Sequence, residues 1–431
     1  MEPILNKIYQ FFSEHQVIST DSRQIQPGSI FFALKGESFN GNAYAEKALE
    51  QGASFAVIDE PEYASNDKFF VVSDVLTTLQ ELARYHRMQF TIPVIGITGS
   101  NGKTTTKELI HNVLATKYRT LATRGNLNNH IGVPLTLLGI TPETEIAIIE
   151  MGANHPGEID LLCRIAQPDY GLITNIGKAH LGGFGGFEGV IRTKTELSRF
   201  LSEHCGVMFL NNRDELLVNR INNVDLIRFG APPGNVILLN LISDPFVKLE
   251  VQFPDRSVVL IESKLYGRYN ANNILAAASI GQHFGISSDR IKMAIEAYQP
   301  ANNRSQIMKT DRNILILDAY NANPSSMEAA LSMFDETDYP EKTVILGDML
   351  ELGEESDHEH QQILKFIDHF KFQHVYLVGP VFTRLNTKRE NACFQDCDLA
   401  RMWLEHHKIE NSTVLIKGSR GIGLEKLTDI L

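Results

Sequence analysis

Short apolar runs alternate with amphipathic stretches along most of the chain, the pattern of buried parallel strands joined by helices. Gly28–Leu34, Ser54–Ile58 and Phe69–Val72 predict three strands, with helical periodicity over 42–51 and 75–88. Pro93 then opens the run Val94-Ile95-Gly96-Ile97, and Glu145–Glu150 and Tyr170–Ile176 predict two more strands of the same kind. One stretch departs from this pattern. Val247, Leu249, Val251 and Phe253 alternate with Lys248, Glu250 and Gln252, and Pro254-Asp255-Arg256 leads into Val258–Ile261, which predicts a two-faced antiparallel hairpin. Asn270–Phe284 reads as a helix of small residues able to pack closely. Beyond residue 301, strands at 313–318, 342–346, 374–378 and 412–416 alternate with helices at 325–335, 357–370, 397–407 and 420–430. Such alternation predicts a doubly wound parallel sheet. The expected class is α/β in three domains: 1–89, small and α/β; 90–301, a parallel sheet carrying the antiparallel hairpin; and 302–431, Rossmann-like.

Composition narrows what those domains can do. At 431 residues the chain is too long for one core. The balance of 40 Lys plus Arg against 52 Asp plus Glu gives a net charge of −12, and no basic run or basic-aromatic patch appears, which argues against nucleic acid as a partner. Four cysteines do not make a disulfide framework, and the Cys393–Cys397 spacing is not a usual zinc spacing. Met1-Glu2-Pro3-Ile4-Leu5-Asn6-Lys7 lacks a charged-then-apolar leader, and no apolar run reaches membrane-spanning length. A cytoplasmic monomer with no membrane insertion is expected.

The strand at 94–97 leads into Gly99-Ser100-Asn101-Gly102-Lys103-Thr104-Thr105-Thr106. A strand, a glycine-bearing turn and a helix opening at Lys-Thr is a way of holding a nucleoside triphosphate. Backbone N–H groups face the phosphates, the lysine ammonium reaches the terminal ones, and the threonine hydroxyl goes to Mg²⁺. The usual first glycine is replaced here by Ile97. ATP chemistry also asks for a hard oxygen ligand beside the phosphates. Glu150, at the end of its strand, is placed for that role, although a solvated acidic residue would fit the same position. His180, past the next strand end, reads on its own as a hydrogen-bonded structural residue, and Lys194 as a solvated helix lysine.

Other motifs fall short. Asp357-His358-Glu359-His360-Gln361-Gln362 has Gln362 where a zinc-protease helix needs its second histidine. Gly182-Gly183-Phe184-Gly185-Gly186 and Gly418-Ser419-Arg420-Gly421-Ile422-Gly423 lack the last glycine of a dinucleotide loop, Glu188 and Lys426 standing there. The first reads better as a flexible turn. No Ser or Cys stands in a nucleophile elbow.

Taken together, the motifs resemble those of the Mur ligases of peptidoglycan precursor synthesis, through essentially the whole chain. Thr98-Gly99-Ser100-Asn101-Gly102-Lys103-Thr104 is similar to that family's variant ATP loop, and Glu150, His180 and Lys194 follow in the family's order. The resemblance implies ATP and two Mg²⁺ sites, with Thr104 and Glu150 serving the first. It also implies that His180 serves the second and that Lys194 is carbamylated to support it. Gly267-Arg268-Tyr269-Asn270-Ala271-Asn272-Asn273 is similar to the segment that contacts adenine through Asn270 and Asn273, with Tyr269 replacing a commoner histidine. By the same resemblance Arg304 reaches the phosphates and Asp318 accepts from the ribose.

Asp318-Ala319-Tyr320-Asn321-Ala322-Asn323-Pro324, Leu346–Ser356 and Lys417–Gly421 resemble the member that adds D-alanyl-D-alanine. The resemblance makes Tyr320, Asn321 and Asn323 substrate-binding. Ser22 and Arg23, with Gly36–Asn42, resemble the segments that hold the uridine nucleotide, and Asn126, Asn128 and Asn129 the loop beside the muramyl-peptide, where His130 replaces a commoner acidic residue. The implied reaction has two steps. The terminal carboxylate of UDP-N-acetylmuramoyl-tripeptide attacks the γ-phosphorus of ATP, and the amine of D-alanyl-D-alanine then displaces phosphate from the acyl phosphate. Lys103 and Arg304 would neutralise the phosphoryl oxygens. Arg304 and the ATP loop fall on different expected domains, so the third domain should close on the second. The alternatives are the family member that adds the third-position amino acid (diaminopimelate or lysine), a folylpolyglutamate-type ligase, or a nucleotide switch without ligase chemistry. The Asp-Asn-Pro-Arg motif expected of the third-position enzyme is absent.

Overall fold

The computed structural model describes residues 3–243, 245–300, 304–339, 341–386 and 392–431. The expected boundary at 301/302, and Asn302 and Asn303 beside Arg304, lie outside them. The chain divides into two compact units, residues 1–96, 118–152 and 158–170 in one, and 97–117, 153–157 and 171–431 in the other.

In the first unit, β1 (Ile18–Ser19), β2 (Ile30–Phe32), β5 (Phe55–Ile58) and β6 (Phe69–Val71) form a parallel sheet in that order, and β3 (Lys35–Gly36) pairs antiparallel with β4 (Phe39–Asn40). The predicted 75–88 helix is Val75–Arg87. Asp74 caps it by accepting from the Thr77 N–H at 2.6 Å, and Val75, Leu79, Leu82, Ala83 and His86 form its buried stripe. A helix over Pro3–His15, not anticipated, buries only Leu5, Ile8 and Phe12.

β7 (Val94–Thr98), β8 (Thr120–Ala122), β9 (Ile146–Glu150), β10 (Tyr170–Ile173), β11 (Val207–Asn211) and β12 (Asp225–Phe229) belong to one sheet ordered β12-β11-β10-β7-β9-β8. β7 and β9 are buried at every position, which is why they read as unbroken apolar runs. The expected hairpin is β14 (Phe246–Gln252) against β15 (Val258–Tyr266), but it gains a third antiparallel strand, β13 (Ile237–Ser243). β13 lacks the two-faced alternation that marked its neighbours: both Leu239 and Asn240 are exposed.

The last sheet runs β16-β17-β21-β18-β19-β20, with β16 (Gln306–Lys309), β17 (Ile314–Asp318), β18 (Lys342–Gly347), β19 (His374–Val378), β20 (Cys393–Phe394) and β21 (Thr413–Lys417). It is parallel except for β16, which pairs antiparallel with β17, so the expected purely parallel sheet is mixed. Two apolar clusters include residues of this sheet, one built with Met327, Leu331 and Phe334 and one with Ala400, Leu404 and Leu427. The helix expected at 420–430 is instead two short 3₁₀ turns, Arg420–Ile422 and Leu424–Leu427, divided by Gly423 at φ +75. Among the described residues no helix is long and apolar enough to cross a membrane.

Candidate active site

The ATP-loop segment begins where β7 ends. Gly99 adopts φ +144, and a Cβ there would lie 2.0 Å from Thr174 Oγ1. Gly102, at φ +78, turns the chain into the helix Lys103–Leu114, and a Cβ on it would meet Asn273 Oδ1 at 2.8 Å. The loop is held from the adjacent strand end. Ser100 N–H donates to the Asn175 carbonyl and Asn101 N–H to Asn175 Oδ1, while the Thr174 hydroxyl and Asn175 amide donate to the Asn101 carbonyl. Ser100 Oγ donates to the Gly177 carbonyl and accepts from the Gly177 N–H, each at 3.0 Å. Lys103 Nζ donates to the Gly99 carbonyl at 2.7 Å, Thr104 is buried, and Thr105 follows on the first helical turn.

The two asparagines matched to adenine contact are buried. Asn273 Nδ2 donates to Asn270 Oδ1, and Asn270 Nδ2 to the Tyr266 carbonyl, each at 2.8 Å. Tyr269 and Ser305 bond through their hydroxyls at 2.7 Å, and a cavity of about 350 Å³ opens beside Tyr269, lined also by Arg213, Arg268, Asn272, Met333 and Glu336. Asp318 ends β17 with both oxygens engaged: Oδ2 takes the Lys417 ammonium at 2.6 Å, and Oδ1 accepts from the Ser305 N–H at 3.3 Å. The Arg304 guanidinium lies 3.8 Å over the Tyr320 ring and Arg420 at 5.4 Å, and Arg304 Nε makes no hydrogen bond among the described residues.

Asn321 is exposed. Asn323 is not: it forms a capping box with Ser326 on the helix Pro324–Glu336, and its Nδ2 donates to Asn101 Oδ1 at 2.8 Å. The chain from β17 is thereby tied to the ATP-loop segment. Lys178 adds two more ties, its N–H donating to Ser325 Oγ at 2.9 Å and its ammonium pairing with buried Glu359 at 2.8 Å.

His180 stands at φ +52 before the turn of helix Leu181–Phe184, and its Nδ1 is 2.5 Å from Glu351 Oε2. The imidazole beside Glu351 holds that carboxyl below the usual range. Two glycines of the cluster after His180 are close-packed, a Cβ on Gly182 meeting Gly353 Cα at 2.9 Å and one on Gly183 the Asn154 carbonyl at 2.2 Å, whereas a Cβ on Gly185 or Gly186 meets nothing within 4 Å. Lys194 closes the helix Phe187–Lys194 at 1% exposure, its Nζ 5.2 Å from the Phe184 ring centroid.

The remaining candidates lie in the first unit. Glu150 is 1% exposed at the end of β9; its N–H donates to Thr123 Oγ1 at 2.9 Å, and its Oε1 accepts from Asn128 Nδ2 at 2.8 Å. Asn129 Oδ1 accepts from the Gly132 N–H at the helix Gly132–Leu137, and Asn126 is exposed. Ser22 is half-buried, and exposed Arg23 pairs with Asp21 at 2.7 Å.

These donor sets suit magnesium. Among the described residues no three His, Cys, Asp or Glu side chains group to hold a metal. Mg²⁺ takes one or two protein oxygens with phosphates and water, and the Thr104 hydroxyl and Glu150 carboxylate are oxygens of that kind.

Residues 14–91 match the Mur ligase family catalytic domain, 97–281 the Mur ligase middle domain, and 303–420 the Mur ligase glutamate ligase domain. The chain belongs to the Mur ligase family. It is 34% identical over 426 residues to the UDP-N-acetylmuramoyl-tripeptide–D-alanyl-D-alanine ligase of Bacillus subtilis (strain 168), covering 95% of this chain and 92% of that one. The Escherichia coli (strain K12) ligase of the same name is 33% identical, with 96% and 93% covered. Among solved structures, MurF from Acinetobacter baumannii superposes with a TM-score of 0.86 at 32% identity, covering 96% of this chain and 92% of that one. The Thermotoga maritima MurF ligase in complex with ADP gives 0.85 at 26%, covering 100% and 98%. The fold is thus the three-domain α/β Mur ligase fold.

Within this Mur ligase, several interactions had no local sequence signal. Asp348 sits inside a motif matched to the D-alanyl-D-alanine-adding member, yet it is fully buried and accepts from the Val381 and Phe382 N–H groups at the helix Pro380–Leu385. Its neighbour His360 accepts from the Met349 N–H at Nε2 and donates from Nδ1 to the Ser356 carbonyl, so the ring is neutral, and burial pushes its pKa down. Lys417 and Glu351, which complete Asp318 and His180, stand in motifs already singled out, but neither motif says what they pair with.

Proposed function

We infer that this chain joins D-alanyl-D-alanine to UDP-N-acetylmuramoyl-tripeptide at the expense of ATP, giving the pentapeptide precursor of peptidoglycan in the cytoplasm. The observation that carries the reading is the docking of the 318–325 segment on the ATP-loop segment through Asn323–Asn101 and Ser325–Lys178, in a chain that matches ligases of this name from end to end. A loop matched to amine delivery thereby adjoins one matched to phosphoryl transfer.

The chemistry follows from charge. Bound ATP with magnesium supplies the γ-phosphoryl group and part of the charge neutralisation. The Lys103 ammonium and Arg304 guanidinium neutralise phosphoryl oxygens as the tripeptide carboxylate approaches a polyanion. Arg304 is preset for this, its plane lying on Tyr320 while Nε stays unsatisfied among the described residues. Asp318, fixed by Lys417, accepts from the ribose, and Asn270 and Asn273 face the adenine. The Thr104 hydroxyl and the Glu150 carboxylate would each offer an oxygen to the first magnesium, and His180 with carbamylated Lys194 would serve the second. Carbamylation would turn the Lys194 ammonium into an anion able to pair with a metal cation. Tyr320 and Asn321 receive the dipeptide, Asn126 and Asn129 the muramyl-peptide, and Ser22 and Arg23 the uridine nucleotide. The third domain closes on the second during turnover, and the enzyme works as a monomer.

Phosphate release from ATP, measured with the tripeptide precursor and either D-alanyl-D-alanine or single amino acids, tests the reading. Release that depends on D-alanyl-D-alanine is expected. Release with diaminopimelate or lysine instead would move the chain to another branch of the family.

A further inference from the structure

We propose that Arg420 receives the carboxylate at the far end of the amine-donating dipeptide, and so sets the enzyme's preference for a donor that ends in a charged acid. The inference rests on the ligase reading above for the identity of that donor, whereas the placement of Arg420 stands on the structure. β17 and β18 flank β21 in parallel register, so the turns after all three open on one edge of the sheet, where parallel sheets take their ligands. These turns touch. Ser419 Oγ accepts from the Leu350 N–H at 2.9 Å, and the Ser419 N–H donates to the Asp348 carbonyl at 3.2 Å. Arg420 follows directly, opening the 3₁₀ turn Arg420–Ile422.

The cations at this edge divide by what they already hold. Lys417 is buried and spent on Asp318, its ammonium 2.6 Å from Oδ2. Arg304, 3.8 Å over the Tyr320 ring, is matched to the phosphoryl oxygens. Arg420 lies 5.4 Å from the centroid of the same ring, is exposed, and enters no ion pair among the described residues. A guanidinium resting on an aromatic face keeps its N–H fork free for a planar, two-oxygen anion. The dipeptide carries such an anion. Its amine must approach the acyl phosphate while its carboxylate comes to rest near a polyanion that repels it, so that carboxylate needs a cation of its own. A dipeptide spans about 7 Å from amine to carboxylate, and two guanidiniums sharing one tyrosine ring are set apart on that scale. Arg304 then serves the phosphoryl end and Arg420 the carboxylate end.

The test is steady-state phosphate release by the full-length enzyme with D-alanyl-D-alanine and with D-alanyl-D-alaninamide, which keeps the amine and lacks the negative charge. Native enzyme should use the acid about ten- to a hundredfold better in kcat/KM, the worth of one charge-assisted pair. Arg420→Ala should raise the KM for the acid by about that factor, abolish the preference over the amide, and keep the KM for ATP within twofold. Arg420→Lys, a point charge without the fork, should recover part of the preference. Arg420→Gln, which keeps the stem, gives the same reading should Arg420→Ala fail to fold. An arginine that merely braced its turn would cost both donors alike, so equal losses would overturn the proposal. So would an uncharged variant that still preferred the acid, or one whose defect lay in the KM for ATP. If native enzyme releases phosphate only with a single amino acid, the dipeptide reading fails, and that amino acid against its carboxamide judges Arg420 instead. Release that depends on no amine donor would overturn both.

Discussion

Glu150 and His180 are matched to similar work, yet the protein secures them in opposite ways. Glu150 ends a fully buried strand, with its N–H on Thr123 and its carboxylate on Asn128, all in segments next to β8 and β9. His180 sits on a left-handed backbone and meets Glu351, a residue brought up by the turn after β18. The first is built into the sheet, whereas the second is conditional on a distant segment. A ligase that must not waste ATP has a use for that asymmetry, since one group can be ready before the amine site is assembled and the other only afterwards.

The largest effect should come from the built-in side. If Glu150 serves magnesium as proposed, Glu150→Ala should lower kcat/KM in the phosphate-release assay about a hundred- to a thousandfold. Asn128→Ala leaves that carboxylate in place but frees its orientation. About tenfold more magnesium should then be needed for half-maximal rate, with kcat at saturating magnesium largely recovered. Were Asn128→Ala to lower kcat at every magnesium concentration, Asn128 would belong to substrate binding instead, as its match to the muramyl-peptide loop suggests, and the contrast with His180 would weaken.

How much of this was readable in the sequence follows the same divide. The loop at Gly99–Thr105 and the strand ends carrying Glu150 and Asp318 announce themselves, because buried parallel strands are continuous apolar runs and the turns after them need glycine or a capping residue. Pairings between distant turns leave no such trace. Asp348 and Glu351 stand in one short motif, yet one turns inward to cap the helix Pro380–Leu385 while the other reaches His180. Gly379 shows why the inward choice works, since a Cβ there would lie 2.3 Å from Asp348 Cγ. That constraint couples two strand ends and is invisible from either. The helix expected at 420–430 failed for a local reason, as Gly423 at φ +75 breaks the turn, and the helix Pro3–His15 escaped because three buried positions make too thin a stripe.

The smallest effects separate close packing from backbone freedom in the turn after His180. Gly182 and Gly185 lie in the same cluster but face different surroundings. A methyl on Gly182 meets backbone at 2.9 Å, which cannot move aside as a flexible side chain can, whereas one on Gly185 meets nothing within 4 Å. Gly185 instead carries φ +69, so alanine there strains the backbone without blocking the Gly353 contact. Gly182→Ala should cost about 1–3 kcal/mol of stability and lower kcat together with it, because the Glu351 turn is pushed off His180. Gly185→Ala should cost about 1 kcal/mol and leave kcat within twofold. Thermal unfolding and steady-state rates on the two variants measure both quantities. Equal kcat losses would mean that His180 responds to any loosening of its turn, and that the Gly182–Gly353 crossing carries no special share of its placement.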